Sequence, residues 1–243
     1  MKCLILAAGY ATRLYPLTEN FPKPLLEVKG KAILDWLVEN VDASGQVDAY
    51  IVVSNHKFAR HFAEWAKNKP QRIYVVDDGT STNETRLGAV RDMRLALAGN
   101  TDDVTVLAGD NLLDFSLRGF IEFFREKHAP CVMTHEENDR RKQQKTAIIT
   151  FEADGRITSY EEKPHAPKGN HAVPPFYIYR AEDVARIREA LDDGCGCDAP
   201  GSFAAWLSQR TDVYAYAMPG KRYDIGDAAS YDHVQKVYRG VDQ

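Results

Sequence analysis

Three groups of side chains in this chain are of types suited to handling phosphate. The first is a pair of cations, Arg13 and Lys23, within the stretch Leu6-Ala7-Ala8-Gly9-Tyr10-Ala11-Thr12-Arg13-Leu14-Tyr15-Pro16-Leu17-Thr18 and its continuation Phe21-Pro22-Lys23-Pro24-Leu25. The small residues Ala7, Ala8 and Gly9 let backbone amides approach a phosphate or a base edge without obstruction. Pro22 and Pro24 restrict the backbone around Lys23 and so limit where its ammonium points. Together these features describe a socket for a polyphosphate; a surface loop with solvated charges is the plainer reading. Neither G-x-G-x-x-G nor G-x-x-x-x-G-K-[ST] occurs, which argues against a dinucleotide fingerprint and a P-loop.

The second group is acidic. Asp110 ends the run Val106-Leu107-Ala108-Gly109-Asp110-Asn111, and Asp224 lies in Tyr223-Asp224-Ile225-Gly226-Asp227. Magnesium takes oxygen ligands and typically uses one or two carboxylates plus substrate phosphates. Two loop aspartates can supply them if the fold brings 110 and 224 together; each also reads as a cap or turn residue, and Asp227 as the N-cap of the last helix. The third group is Glu162-Lys163 in Tyr160-Glu161-Glu162-Lys163-Pro164, on its own a charged strand end. A weaker segment, Thr82-Asn83-Glu84-Thr85-Arg86-Leu87-Gly88-Ala89, contains Asn83, which can donate and accept together as a pyrimidine edge requires. Helix capping by Thr82 or Asn83 explains the same residues equally well.

These residues need elements to hold them. Short apolar runs at Lys2–Leu6, Ala49–Val53, Arg72–Val76, Asp103–Leu107 and Pro130–Thr134 predict strands. Between them, helical spacing predicts helices at Ile33–Val41, His56–Ala66, Leu87–Ala98 and Leu117–Lys127. Such alternation implies right-handed crossovers and an α/β fold, a doubly wound, mostly parallel, Rossmann-like sheet. From about residue 136 the pattern changes. Lys145–Phe151 and Arg156–Glu161 read as strands joined by Glu152-Ala153-Asp154-Gly155, whose Asp-Gly signals a hairpin. Val173–Tyr179 and Val213–Ala217 read as strands, and Glu182–Leu191, Ser202–Gln209 and Ala228–Tyr238 as helices. With no repeat or flexible linker, the expectation is one domain over 1–243 with a small antiparallel extension over one end of the sheet.

Composition narrows the function classes. The 243 residues carry 31 basic and 35 acidic side chains, a formal net charge of −4, so no broad basic face is expected for nucleic acid. The longest wholly apolar stretch, Cys3 to Ala8, falls far short of the ~20 residues that span a bilayer. No membrane partner is expected, and the start of the chain reads as a cytoplasmic N-terminus. Cys195-Gly196-Cys197 lacks a second pair at zinc spacing, so the four cysteines read as reduced thiols.

The stretch from Leu6 to Pro24 resembles the signature of the sugar-phosphate nucleotidyltransferases (nucleotide-sugar pyrophosphorylases), a long Gly-x-Gly-Thr-Arg-Leu-x-Pro-Leu-Thr run followed by Pro-Lys-Pro. The resemblance extends to about Tyr238 and implies a short, core-only member, with 1–135 as its nucleotide-binding half and 136–243 as its sugar-phosphate-binding half. It differs at Ala11, where the family often has glycine. The resemblance implies Mg²⁺-dependent transfer of a nucleotidyl group from a nucleoside triphosphate, a pyrimidine being favoured, to a sugar 1-phosphate. Arg13 and Lys23 are then catalytic, and Ala7, Ala8, Gly9, Asn83, Arg86 and Gly88 bind the nucleotide. Glu162 accepts sugar hydroxyls, Lys163 binds the sugar phosphate, and Asp110 and Asp224 hold the metal. Arg86 stands where many members have a small residue. Tyr177 falls in the sugar site, where Pro175 implies a differently shaped pocket; Asp198-Ala199-Pro200-Gly201 borders that pocket or is an interhelical turn. Relatives are commonly dimers or tetramers, so a homo-oligomer is admitted. Two alternatives differ in class: a cytidylyltransferase acting on a non-sugar phosphate or phosphonate such as phosphocholine, and a non-catalytic regulatory subunit, which should have lost the metal or phosphate residues retained here.

Overall fold

The computed structural model describes residues 1–241. The chain divides into two compact units that interleave in sequence. One comprises Met1–Leu87, Ala108–Gly119 and the segment from Pro219 onward; the other comprises Gly88–Leu107 and Phe120–Met218.

In the first unit Lys2–Leu6 pairs in parallel with Ala49–Ser54, which pairs in parallel with Ile73–Asp77. Ala49–Ser54 is buried along its whole length, which explains why it reads as a continuous apolar run without alternation. The helix His56–Lys67 packs on these strands, its start capped by Asn55, whose side chain accepts from the Phe58 amide at 3.0 Å. A two-stranded antiparallel ladder joins Asn111–Leu113 to Arg222–Asp224, in the register Asp224↔Asn111, Tyr223↔Leu112 and Arg222↔Leu113. No periodicity announced this ladder, because each strand has only three residues.

One apolar cluster ties these parts together. Leu14 of the first loop, Leu112 of the ladder, Ile225 beside Asp224, and Val234 and Tyr238 of the last helix are buried in contact with Val28 and Ile33. The Tyr238 hydroxyl donates to the Leu113 carbonyl at 2.9 Å. Burying a large apolar side chain is worth about 1.5–3 kcal/mol, so this cluster fixes the loop, the Asp110 segment and the Asp224 segment with respect to one another.

The second unit holds the antiparallel strands. Cys131–Glu136 pairs antiparallel with Phe176–Tyr179 and His171–Val173, and parallel with Tyr214–Ala217. Phe176–Tyr179 also pairs antiparallel with Val104–Ala108. Ala147–Phe151 lies antiparallel to His171–Val173 and to Ile157–Glu162. The expected hairpin is present, with Gly155 at φ +89°. The expected strand Val173–Tyr179 breaks in two at Pro174-Pro175, which lack ladder donors. The expected helix at Glu182–Leu191 is two short helices, Ala181–Val184 and Ile187–Asp192.

The α/β class with a large sheet, flanking helices and antiparallel strands agrees with the sequence reading. Among the described residues no helix is long and apolar enough to cross a membrane. All four cysteines are free; burial pushes the Cys131 thiol up to about 12 and that of Cys195 to about 11.

Candidate active site

The first loop leaves the C-terminal end of Lys2–Leu6, the end at which open α/β sheets bind ligands. The Ala7 amide donates to the Val53 carbonyl at 2.9 Å, and Asn55 Nδ2 donates to the Ala8 carbonyl at 3.0 Å, so the turn is held from the neighbouring strand. Gly9 is exposed, and a Cβ added there would meet no atom within 4 Å. Ala11 is left-handed, at φ 48° and ψ 41°, a conformation costing an alanine roughly 1–2 kcal/mol. Thr18 secures this conformation by donating its hydroxyl to the Ala11 carbonyl at 2.8 Å. The backbone therefore does need what a glycine would supply at position 11.

Arg13, in a single turn of 3₁₀ helix at Thr12–Leu14, is exposed, and its guanidinium lies 3.9 Å from where a Cβ on Gly226 would stand. Lys23 begins a second 3₁₀ turn, Lys23–Leu25, between its two prolines. Its ammonium donates to Asp110 Oδ2 at 2.6 Å. Gly109 allows this meeting: its amide donates to the Leu6 carbonyl at 2.9 Å, and a Cβ would stand 3.5 Å from Pro24 Cγ and only 3.0 Å from Ile5 Cγ2.

The ladder connects the segments that carry the two aspartates. Asp224 is the register partner of Asn111, the residue after Asp110. Asn111 Nδ2 donates to Asp110 Oδ1 at 2.8 Å. Arg222 Nη1 donates to Asn111 Oδ1 at 2.7 Å and lies 3.8 Å from Asp224 Oδ2. Sequence reasoning missed both Asn111 and Arg222. Asn111 sits beside Asp110 and was open to notice, whereas Arg222 lies in Lys221-Arg222-Tyr223, which reads as ordinary surface. Asp227 caps the helix Ala228–Val237, accepting from the Ser230 amide at 2.8 Å.

The two carboxylates are oxygen donors of the kind magnesium takes. Among the described residues no group of three or more His, Cys, Asp and Glu side chains gathers as a metal site. Two carboxylates, Asp224 on the ladder and Asp110 just before it, suit a cation that takes one or two carboxylates and completes its shell with phosphate and water.

The segment around Asn83 forms a 3₁₀ turn, Asn83–Thr85, whose start at Thr82 has no side-chain cap bond. Arg86 is exposed and donates from Nη1 to the Asn83 carbonyl at 3.0 Å. The helix expected from Leu87 begins at Ala89, because Gly88 stands at φ +88°. A Cβ on Gly88 would lie 2.6 Å from the Cys197 carbonyl oxygen, so only glycine fits. That carbonyl accepts from the Val90 amide at 3.0 Å, satisfying one of the open donors of the helix start.

In the second unit, Glu162 ends Ile157–Glu162 opposite Ala147. A Cβ on Gly201 would stand 2.5 Å from Glu162 Oε2, 3.0 Å from the Tyr160 hydroxyl and 3.2 Å from the Tyr177 hydroxyl, so three oxygens converge on a space only glycine leaves open. Gly201, the last residue of Asp198-Ala199-Pro200-Gly201, starts the helix Gly201–Ser208 and lies against these oxygens. Burial raises the Glu162 carboxyl above the usual carboxylate range, with the Lys163 ammonium pulling the other way. Lys163 itself is left-handed, φ 49°, with its amide donating to the Thr146 carbonyl at 3.1 Å. Non-glycine residues in that region cost about 1–3 kcal/mol and cluster at functional sites.

Residues 2–239 match the family model described as "Nucleotidyl transferase". A glucose-1-phosphate adenylyltransferase of Thermosipho africanus is 24% identical over 94% of this chain and 59% of its own length. A UTP–glucose-1-phosphate uridylyltransferase of Synechocystis is 25% identical over 99% of this chain and 63% of its own. The chain thus spans about three-fifths of the length of these curated relatives. Among solved structures, a putative glucose-1-phosphate thymidylyltransferase from Bacillus anthracis, in complex with a sucrose, superposes with a TM-score of 0.84 at 20% identity, covering 100% of this chain and 97% of that one. The signature in the first loop, the fold and a family match along nearly the whole chain agree: this chain belongs to the nucleotidyl transferase family.

Proposed function

We propose that the protein transfers a nucleotidyl group from a nucleoside triphosphate to a sugar 1-phosphate, giving a nucleoside diphosphate sugar and pyrophosphate. The observation that supports this reading is the ladder register, which sets Asp224 opposite Asn111, the residue after the Asp110 that Lys23 of the first loop contacts.

An oxygen of the sugar phosphate attacks the α-phosphorus in line, and the bond to the pyrophosphate oxygen breaks. The attacking phosphate is already ionised near neutral pH, so no general base is needed. Rate then comes from positioning and charge neutralisation. Lys23 Nζ has three protons, of which Asp110 engages one, leaving donors for the triphosphate. Arg13 is exposed and able to approach the same phosphates. The open space at Gly9 admits a ligand close to the backbone. Asp110 and Asp224 are the residues that would hold Mg²⁺, which when bound supplies charge neutralisation on the triphosphate. Asn83, Arg86 and Gly88 border the base, and Asn83 both donates and accepts, as the pyrimidine favoured in this reading requires. Glu162 and Tyr177 face the sugar hydroxyls, and Lys163 holds the sugar phosphate. We set this work in the cytoplasm, where nucleoside triphosphates are made.

A panel of nucleoside triphosphates against sugar 1-phosphates and phosphocholine, followed by pyrophosphate release, tests the reading. Release with a sugar 1-phosphate supports it. Release with phosphocholine alone selects the non-sugar alternative, and release with no acceptor in the panel counts against both.

A further inference from the structure

We infer that Arg222 is a positioning residue for the carboxylate pair, holding Asp224 and, through Asn111, Asp110 in the orientation that binds a divalent cation. The inference rests on the proposed metal role of that pair. Arg222 precedes Asp224 by two residues on one strand, so their side chains share a face of the ladder. From that face Nη1 donates to Asn111 Oδ1 at 2.7 Å and stays 3.8 Å from Asp224 Oδ2. The longer distance matters, because a carboxylate engaged in a close bidentate pair would have its oxygens taken, whereas this one is steered and remains half-exposed.

Asn111 transmits the constraint. It is 1% exposed, and its amide nitrogen donates to Asp110 Oδ1 at 2.8 Å and to the Ala108 carbonyl at 3.3 Å. Turning the amide over would set its NH₂ against the guanidinium and its oxygen against the Asp110 carboxylate, so the charges at its two ends fix one orientation. Hydrogen bonds therefore link Lys23, Asp110, Asn111 and Arg222 in an unbroken run, and the guanidinium at its end faces Asp224 as an ion pair at 3.8 Å. Lys23 holds one Asp110 oxygen and Asn111 the other, leaving each a free lone pair for a metal.

A positive charge beside a cation site also repels the cation, and the two effects have opposite signs. If orientation dominates, removing Arg222 weakens metal binding; loss of a hydrogen-bonded partner of a metal ligand typically costs about 10–100-fold in affinity. If repulsion dominates, removing it strengthens binding.

The experiment is titration of the full chain with Mn²⁺ alone, following the free-ion electron paramagnetic resonance signal, with thermal melts to verify folding. Arg222→Met keeps the apolar stem and removes the charge and the hydrogen bond, and should weaken Mn²⁺ binding about 10-fold or more. Arg222→Lys keeps a donor that reaches Asn111 and should restore affinity to within about 3-fold of wild type, well inside the loss expected for Arg222→Met. Unchanged or tighter binding by a folded Arg222→Met overturns the positioning role, as does failure of the lysine to rescue. Asp110→Asn and Asp224→Asn must each lose Mn²⁺ binding. If they bind as wild type does, the proposed metal role fails first and the inference falls with it. If only they lose binding while Arg222→Met does not, the inference alone fails.

Discussion

Lys23 and Asp110, 87 residues apart in sequence, meet at 2.6 Å with unequal burial: the lysine side chain is 9% exposed and the aspartate 36%. The asymmetry predicts unequal consequences of breaking the pair. Asp110→Ala leaves a buried ammonium without its partner and should cost about 1–3 kcal/mol of stability. Lys23→Met leaves a carboxylate that water can solvate and should cost less than about 1 kcal/mol. Both should lower turnover by about 10²–10³ while remaining folded. Urea unfolding beside a pyrophosphate assay checks this; a larger stability loss for Lys23→Met would contradict the burial argument.

Gly9 and Gly88 predict opposite outcomes for the same substitution. Gly9→Ala meets no atom within 4 Å, so its stability should stay within about 0.5 kcal/mol of wild type. Its KM for the nucleoside triphosphate should rise 10-fold or more, on the order of the 1.4 kcal/mol that corresponds to a tenfold change, because the new methyl occupies the space through which the ligand approaches the backbone. Gly88→Ala instead drives a methyl against the Cys197 carbonyl in a left-handed backbone and should lose about 2 kcal/mol or more. Melting curves and steady-state kinetics on both variants separate a ligand-access glycine from a packing glycine.

Burial raises the Glu162 carboxyl above its ordinary range, and Lys163 opposes this in part. A carboxyl with a raised folded pKa favours folding when protonated. That contribution is full below the unfolded value and is lost as pH rises through the folded one. The ionised form is the stronger acceptor for sugar hydroxyls. KM for the sugar 1-phosphate should therefore climb on acidification at a pH above that at which an ordinary glutamate titrates. Glu162→Gln should remove this limb from the KM profile and also the matching slope in urea stability against pH. Overlapping profiles for wild type and variant would remove Glu162 from the sugar site.

Local signals carried much of the fold. Lys2–Leu6 was legible to the residue because a buried strand ending in small residues is an unbroken apolar run. Asp154-Gly155 announced its hairpin through the glycine's left-handed backbone, and Asp227 its helix through cap chemistry. The break at Pro174-Pro175 was also there to read, since proline cannot donate to a ladder.

What escaped was long-range. Arg222–Asp224 pairs with Asn111–Leu113 across more than a hundred residues, over strands too short for period-two alternation. Arg222 thus looked like any surface cation until the register put it against Asn111. Ala11 drew notice only by comparison with the family's glycine, and its φ of 48° gives that difference a physical meaning.

The central claim is that Asp110 and Asp224 act together on a phosphate-bound divalent ion during nucleotidyl transfer. Phosphorus-31 spectra of the protein with a nucleoside triphosphate and a sugar 1-phosphate, with and without Mg²⁺, test it most directly. Pyrophosphate and nucleoside diphosphate sugar resonances should grow together only when Mg²⁺ is present, and should vanish in both Asp110→Asn and Asp224→Asn. Product formation at the wild-type rate in either folded variant, or without any divalent ion, would contradict it.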